Sequence, residues 1–339
     1  MTRPLLPPRS GAAGPSVDAQ RRRTLFAMGA AALAGLSSSH ALGQAYPSRP
    51  VLMVVPFPPG GGFDTIARPF GERLGQALQQ PVVIDNRPGS GGNIGTDFVA
   101  RAPADGYTLL FANDFLATNP SVNRHVRYDP LKDFAPVGMV GTTQVVIAVR
   151  PEFEARSFEQ LLALSKKRPL SYGTPGAGTS PHLVGEYLST ISPLKTLHIP
   201  YKGTAPSVND AIGGQLDMVF ATAPSVASHI AAGKLRGIAV LGQKRSAQLP
   251  DVPTLQEIGG PAVNYEVWYC LMAPAGTPAP VLAKLREATE AALDTDLAQR
   301  LARLGYEIRP DGPDRLTALI RQDLVRWREV VERSKISLD

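Results

Sequence analysis

Cysteine is nearly absent: Cys270 stands alone among 339 residues, so no intramolecular disulfide can form in any compartment. It lies in the apolar run Val267-Trp268-Tyr269-Cys270-Leu271-Met272, where a buried strand thiol is expected rather than a reactive one. Without a cysteine near residues 37–45, lipid attachment there has no support. Long apolar runs are missing as well, since nothing beyond position 46 approaches the roughly 20 residues that a membrane-spanning helix needs. Beyond that position His125, His182, His198 and His229 show no metal-ligand spacing, and no metal is expected. No Gly-x-Ser-x-Gly elbow occurs, and no glycine loop ends in Gly-Lys-Ser/Thr, so neither a nucleophile elbow nor a phosphate-binding cofactor site is indicated.

The first 45 residues differ in composition from the rest. Arg21-Arg22-Arg23 precede an uncharged Ala- and Leu-rich stretch, Leu25 to Leu36, and then Ser37-Ser38-Ser39. A basic region, a short apolar region and small residues make an export signal that is expected to be removed. Arg22-Arg23-Thr24-Leu25-Phe26 also fits a twin-arginine signal, and an ordinary secretory signal fits equally. Cleavage is expected after Gly43 or Ala45. Five arginines against Asp18 give this segment +4 of the chain's +6, which leaves +2 for residues 46–339. Nucleic acid is therefore not an expected partner, because its binding needs a clustered basic face. A mild positive charge suits a small anion.

The remaining chain has the length of about two domains. Strand-like runs alternate with helical spacing, which is the pattern of an α/β architecture. Strands are expected at Val51–Phe57, Pro81–Asp85, Tyr107–Ala112 and Gln144–Val149, then near Leu197–Pro200, Asp217–Ala221 and Gly237–Leu241. Ile66, Phe70, Leu74 and Leu78 mark a first helix, which Pro69 is expected to kink, and Gly92 to Arg101 a second. Further helices are expected to start near Ser180, Thr204 and Ala223. Thr277-Pro278 reads as a cap and first helical residue, and Pro313 to Ser334 as a final helix with an apolar stripe.

Three strand-to-helix junctions carry the chemistry. In Phe57-Pro58-Pro59-Gly60-Gly61-Gly62-Phe63-Asp64 the prolines stiffen the exit from a strand and the glycines bare the backbone ahead of a helix. Backbone N–H groups at such a helix start form an anion site, here from Gly61, Gly62 and Phe63. Asp64 reads as the helix N-cap, and any ligand contact it makes is with an amine or through water. In Gly178-Thr179-Ser180-Pro181-His182, Ser180 suits a cap, and His182 is either a hydrogen-bonding group for an anion or a packing residue. In Lys202-Gly203-Thr204-Ala205 the Thr204 hydroxyl and the Ala205 N–H could meet the same anion, with Lys202 a solvated charge. Three such loops across two α/β halves predict a cleft site.

The segments YPSRPVLMVVPFPPGGGFDTIAR from Tyr46, PVVIDNRPGSGGNIGTDFVARAPADGYTLLFAN from Pro81 and GTPGAGTSPHLVGEYL from Gly173 resemble the Bug-type, or TctC-like, receptors. So do YDPLKDFAPVGMV from Tyr128, IPYKGTAPSVNDAIGGQLDMVFATAPS from Ile199 and LMAPAGTPAPVLAKL from Leu271, in the family's order. The resemblance implies a two-lobed periplasmic binding protein, type II-like, with the ligand cleft between lobes joined by two chain crossings. Lobe I would comprise 46–145 plus 268–339, and lobe II 146–267. It implies that ligand carboxylates are held by Phe57 to Asp64 and by Gly178, Thr179, Ser180 and His182, often through water. Two places depart from the common family pattern: Asn113-Asp114-Phe115 replaces a Ser/Thr-rich run, and Ala221-Thr222 an Asp-Asn pair. Asn113 and Ala221 join the candidate ligand contacts, and ligand identity does not carry over.

The function implied is periplasmic capture of a small carboxylate for a tripartite tricarboxylate-type transporter, by a monomer. The alternative is an orphan sensor that presents solute to a signalling partner such as a sensor kinase. A hydrolase or transferase is the remote alternative: Asp64, Ser180 and His182 are triad residue types, but Ser180 and His182 are two apart at a helix start and do not face each other. No catalytic residue is assigned.

Overall fold

The computed structural model describes residues 46–334. The expected export signal and both cleavage points lie outside the described residues. Strand β1 (Val51–Val55) is apolar along its whole length, as a strand covered on both faces must be. It lies between β2 (Val82–Asn86) and β3 (Thr108–Asn113), parallel to both. The crossover helices are α1 (Gly62–Leu78) and α2 (Asn93–Ala100). Helix α1 continues through Pro69 without a break and buries Phe63, Ile66, Phe70 and Leu74 against this sheet.

The second half is built the same way. Strand β5 (Leu170–Thr174) lies between β6 (Thr196–Pro200) and β7 (Met218–Thr222), parallel to both. Helices α5 (Ser180–Ile191), α6 (Thr204–Ile212) and α7 (Ala223–Ala231) start at the three expected positions. The short helices α3 (Phe115–Val122) and α4 (Phe158–Ser165) precede them in the chain.

One long strand joins the halves. Along β4 (Phe134–Val149), residues Phe134 to Gln144 pair with β9 (Glu266–Pro274), which lies antiparallel beside β3. From Val145 onward the partners are β7 and β8 (Arg236–Val240). Only Gln144–Val149 reads as strand in the sequence, because Pro136, Gly138 and Gly141 break the pattern upstream. The structure absorbs them as shifts of register between Pro136 and Gly138 and between Met139 and Gly141. Gly141 also admits the two-residue strand β10 (Glu307–Ile308), since a Cβ there would lie 2.7 Å from the Glu307 carbonyl oxygen.

The chain closes with α8 (Ala279–Ala292), α9 (Thr295–Arg303) and α10 (Pro313–Ser334). Pro278, not Thr277, caps α8; the Thr277 hydroxyl instead donates to the Pro274 carbonyl at 2.7 Å. Helix α10 has the expected bounds and packs on α3, α5 and β4, so it touches both halves. Its apolar stripe contains one group not anticipated: Asp323, buried, which accepts a 2.7 Å bond from the Trp268 indole N–H.

Candidate functional site

The first junction leaves β1 through buried Pro56 and half-buried Phe57, then turns at Gly60, whose φ of +79° suits glycine. Gly61 is the N-cap of α1, with extended dihedrals and no side-chain cap, so the first-turn N–H groups have no capping acceptor. Gly61 and Gly62 are exposed while Phe63 is buried. The Tyr306 hydroxyl donates to the Gly62 carbonyl at 2.5 Å, and a Cβ on Gly62 would meet that hydroxyl at 3.5 Å and Ser225 Oγ at 3.8 Å. Gly62 therefore faces the start of α7 in the other half.

Asp64 is not the cap the sequence suggests. It lies in the first turn of α1 and accepts from the Gly60 N–H at 3.0 Å, Arg68 Nε at 2.6 Å and Asn86 Nδ2 at 3.2 Å. Burial would raise this carboxyl, but those three donors outweigh it and hold the group below its usual range. Since Asn86 Nδ2 also donates to the Phe57 carbonyl at 2.9 Å, Asp64 shapes the loop from behind.

At the second junction Thr179, not Ser180, is the N-cap, and its side chain donates to the Gly176 carbonyl at 2.7 Å rather than capping. Ser180 is the first helical residue, and its hydroxyl donates to Asp114 Oδ1 at 2.7 Å. His182 turns back on its own loop, with Nδ1 accepting the Gly178 N–H at 3.0 Å. Burial drives its imidazole down to about 3, helped by His198, and burial lowers His198 to about 4. Both rings are therefore neutral at physiological pH. The third junction is tied to the second by a 2.8 Å bond from the Gly203 N–H to the Pro175 carbonyl, which sets Thr204 and exposed Ala205 beside it. Ala221 is fully buried among apolar residues of β7; the polar group there is Thr222, the N-cap of α7, whose hydroxyl lies 3.0 Å from Ser225 Oγ.

Helix α3 bridges the two halves. Asn113 Oδ1 accepts the Phe115 N–H at 3.0 Å, and Asp114 is the N-cap residue. The Phe115 ring packs against Phe57 with centroids 5.5 Å apart, and Thr118 reaches the Gly178 carbonyl at 3.4 Å. Asp114 has no exposed surface and accepts from both Ser180 and the Tyr265 hydroxyl. Its carboxyl is pushed up to about 7 by burial, partly offset by those bonds and reinforced by Asp323.

Phe57, Phe63, Asn113, Gly178 and Ser180 are thus joined by direct contacts through α3 and its N-cap, with His182 bonded to Gly178, Gly62 beside Phe63 in the chain and Thr204 next to Gly178's loop. Sequence reasoning missed Ser225 and Tyr306, which no local motif marks, and did not see that Asp114 ties the halves together. Asp64, Ser180 and His182, the triad residue types, each bond a different group. Among the described residues no cluster of three or more His, Cys, Asp or Glu is placed to hold a metal, and no helix is long and apolar enough to cross a membrane.

Two α/β halves that share β4, each contributing an uncapped helix start beside the other half, define a two-lobed solute-binding receptor. The chain belongs to the TctC family, the tripartite tricarboxylate transporter family receptors, whose profile matches residues 66–336. Protein BugT of Bordetella pertussis is 37% identical over 298 residues, which span 86% of this chain and 91% of BugT. The structure of the periplasmic binding protein BugD is 36% identical with a TM-score of 0.78, over 86% of this chain and 99% of that one. A Rhodopseudomonas palustris protein solved with adipate is 32% identical with a TM-score of 0.80, over 86% of this chain and 99% of that one. MatC of the same species, with bound malate, is 30% identical with a TM-score of 0.77, over 84% and 100%.

Proposed function

We propose that this receptor works in the periplasm, where it captures a small carboxylate-bearing molecule between its lobes and delivers it to the membrane subunits of a tripartite tricarboxylate-type transporter. The observation that carries this reading is the pairing of two helix starts, α1 at Gly62 and α5 at Ser180, neither with a side-chain cap, the first reaching α3 through Phe63 and Phe115 and the second through its N-cap Asp114. Such termini bind anions through N–H groups and the helix dipole without a lysine or arginine. The adipate and malate held by two relatives support a carboxylate ligand. Lobe I consists of 46–145 plus 268–339 and lobe II of 146–267; the change of partners along β4 at Gln144/Val145 supports the first boundary. Ligand contacts come from Gly61, Gly62 and Phe63 on one side and Gly178, Thr179 and Ser180 on the other, by a monomeric protein exported through its N-terminal segment. The separate bonding of Asp64, Ser180 and His182 supports binding without chemistry.

A thermal-shift screen of the purified protein against dicarboxylates, aromatic carboxylates, amino acids and nicotinate tests this, because a ligand that binds only the native state raises the melting point by mass action. A carboxylate is expected to shift it. Shifts from sugars or cations alone would overturn the reading.

A further inference from the structure

The α5 helix start already holds a carboxylate, and it belongs to the protein. Ser180, in the first turn of α5, donates its hydroxyl to Asp114, a residue of the other half with no exposed surface. The same Asp114 opens α3, whose next residue, Phe115, packs on Phe57 of the first junction. Asp114 thus touches the start of α5 directly and, through its neighbour Phe115, the loop that leads into α1 and the ring of Phe63 in the first turn of α1.

We infer that Asp114 is a specificity-determining residue, which disfavours ligands with a second carboxylate at the α5 end and selects those that present there an amide, a hydroxyl or an ammonium group. The inference rests on the carboxylate-receptor reading. A ligand carboxylate bonded to the first-turn N–H groups of α5 would lie roughly 6 Å from that of Asp114, a separation set by two hydrogen bonds through one helix turn. At the effective dielectric of a protein interior, repulsion from the ionised Asp114 over that distance is worth roughly 10- to 100-fold in affinity, and uptake of a proton by Asp114 limits the observable loss to about tenfold at pH 8. An ammonium group would gain where a carboxylate loses.

The effect depends on Asp114 being ionised. Its carboxyl titrates near 7, so discrimination is strong at pH 8 and fades towards pH 6. The groups around it do not change charge in that window in a way that mimics this. Tyr265, Tyr269 and Cys270 are all raised by burial, and His182 of α5 stays neutral. Asp323 of α10 is raised by burial too, but it is paired with Arg326 at 3.4 Å and accepts from the Trp268 indole, and it touches neither helix start.

The test uses isothermal titration of the purified protein with succinate, glutarate and adipate, their monoamides, and the ω-amino acids of the same lengths, at pH 8 and pH 6. At pH 8 the wild type is expected to prefer the monoamide over the matching diacid by up to about tenfold, the ceiling set by protonating a carboxyl that titrates near 7, and the preference is expected to shrink at pH 6. Asp114→Asn, which keeps the size and hydrogen-bonding reach, is expected to bind diacid and monoamide alike at both pH values. Ser180→Ala, which keeps the charge, is expected to keep the preference even if all affinities fall. Equal binding of diacid and monoamide by the wild type at pH 8 would overturn the inference and leave the carboxylate reading standing. So would an Asp114→Asn variant that weakens every ligand by the same factor, since that marks a contact holding the lobes together. If no acid of the series bound either protein, the inference would fall, and the carboxylate reading would fall with it only if the wider thermal-shift screen also gave no shift with any carboxylate. Should Asp114→Asn fail to fold, the pH dependence of the wild type decides.

Discussion

The His182 and His198 rings stack with centroids 3.8 Å apart and planes within 18° of parallel. His182 Nδ1 accepts a backbone N–H, and His198 Nε2 lies 2.7 Å from the Thr174 hydroxyl. Burial keeps both imidazoles neutral, and His198 adds to the effect on His182.

Acid sensitivity follows. Both groups have folded-state values below the ordinary 6.5, so unfolding takes up protons in acid, and the stability from this pair is full above about 6.5 and lost as pH falls towards about 4. Each fully titrating group contributes about 1.4 kcal/mol per pH unit. Urea unfolding at pH 7 and pH 5 is expected to show a drop that is smaller in His198→Asn.

Asp114 acts with the opposite sign. Its folded value lies above the ordinary carboxylate one, so its stabilising contribution is full below about 4 and is lost as pH rises to about 7. Relative to Asp114→Asn, the wild type is expected to lose up to about 4 kcal/mol over that interval. Parallel pH profiles of the two melting points would contradict the buried, ionisable state.

The Trp268–Asp323 bond holds α10 to β9 from inside the core. Asp323→Ala leaves a buried indole N–H without an acceptor and a hole beside Trp268, and is expected to cost about 2–4 kcal/mol in chemical denaturation. Asp323→Asn keeps an acceptor and should cost much less. Tryptophan fluorescence reports the change directly.

Gly62 separates binding from folding. Its Cβ position is open to 3.5 Å, so Gly62→Ala is expected to be tolerated, whereas Gly62→Leu projects into the space facing Ser225 and Tyr306. Gly62→Leu is expected to abolish the carboxylate-induced thermal shift with a melting point near that of the wild type. Gly60→Val is expected to lower the melting point itself, since a branched side chain at φ +79° costs roughly 1–2 kcal/mol.

Local signals in the chain were strong where a single segment decides its own structure. Prolines and glycines ahead of apolar periodicity marked the starts of α5, α6 and α7 and the full span of α10, because capping and side-chain spacing are properties of a few neighbouring residues. The upstream part of β4 was not legible, because its proline and glycines are tolerated only by partners from far along the chain. Strand β10 escaped notice for a similar reason, since Glu307–Ile308 exists only where Gly141 makes room, and β5 showed only as the lead-in to the second junction because Leu170–Thr174 is short and half polar.

The sequence by itself determined the α/β alternation, the glycine-bared helix starts at Gly62 and Ser180, and a family resemblance that the comparisons uphold. Only the tertiary structure decided what the polar side chains do there. It turned Asp64 onto Arg68, His182 onto its own loop, and Asp114 across to Ser180. The physical reason is range: a helix start is specified by adjacent residues, whereas the partner and the protonation of a buried carboxyl depend on which distant donors the fold places around it.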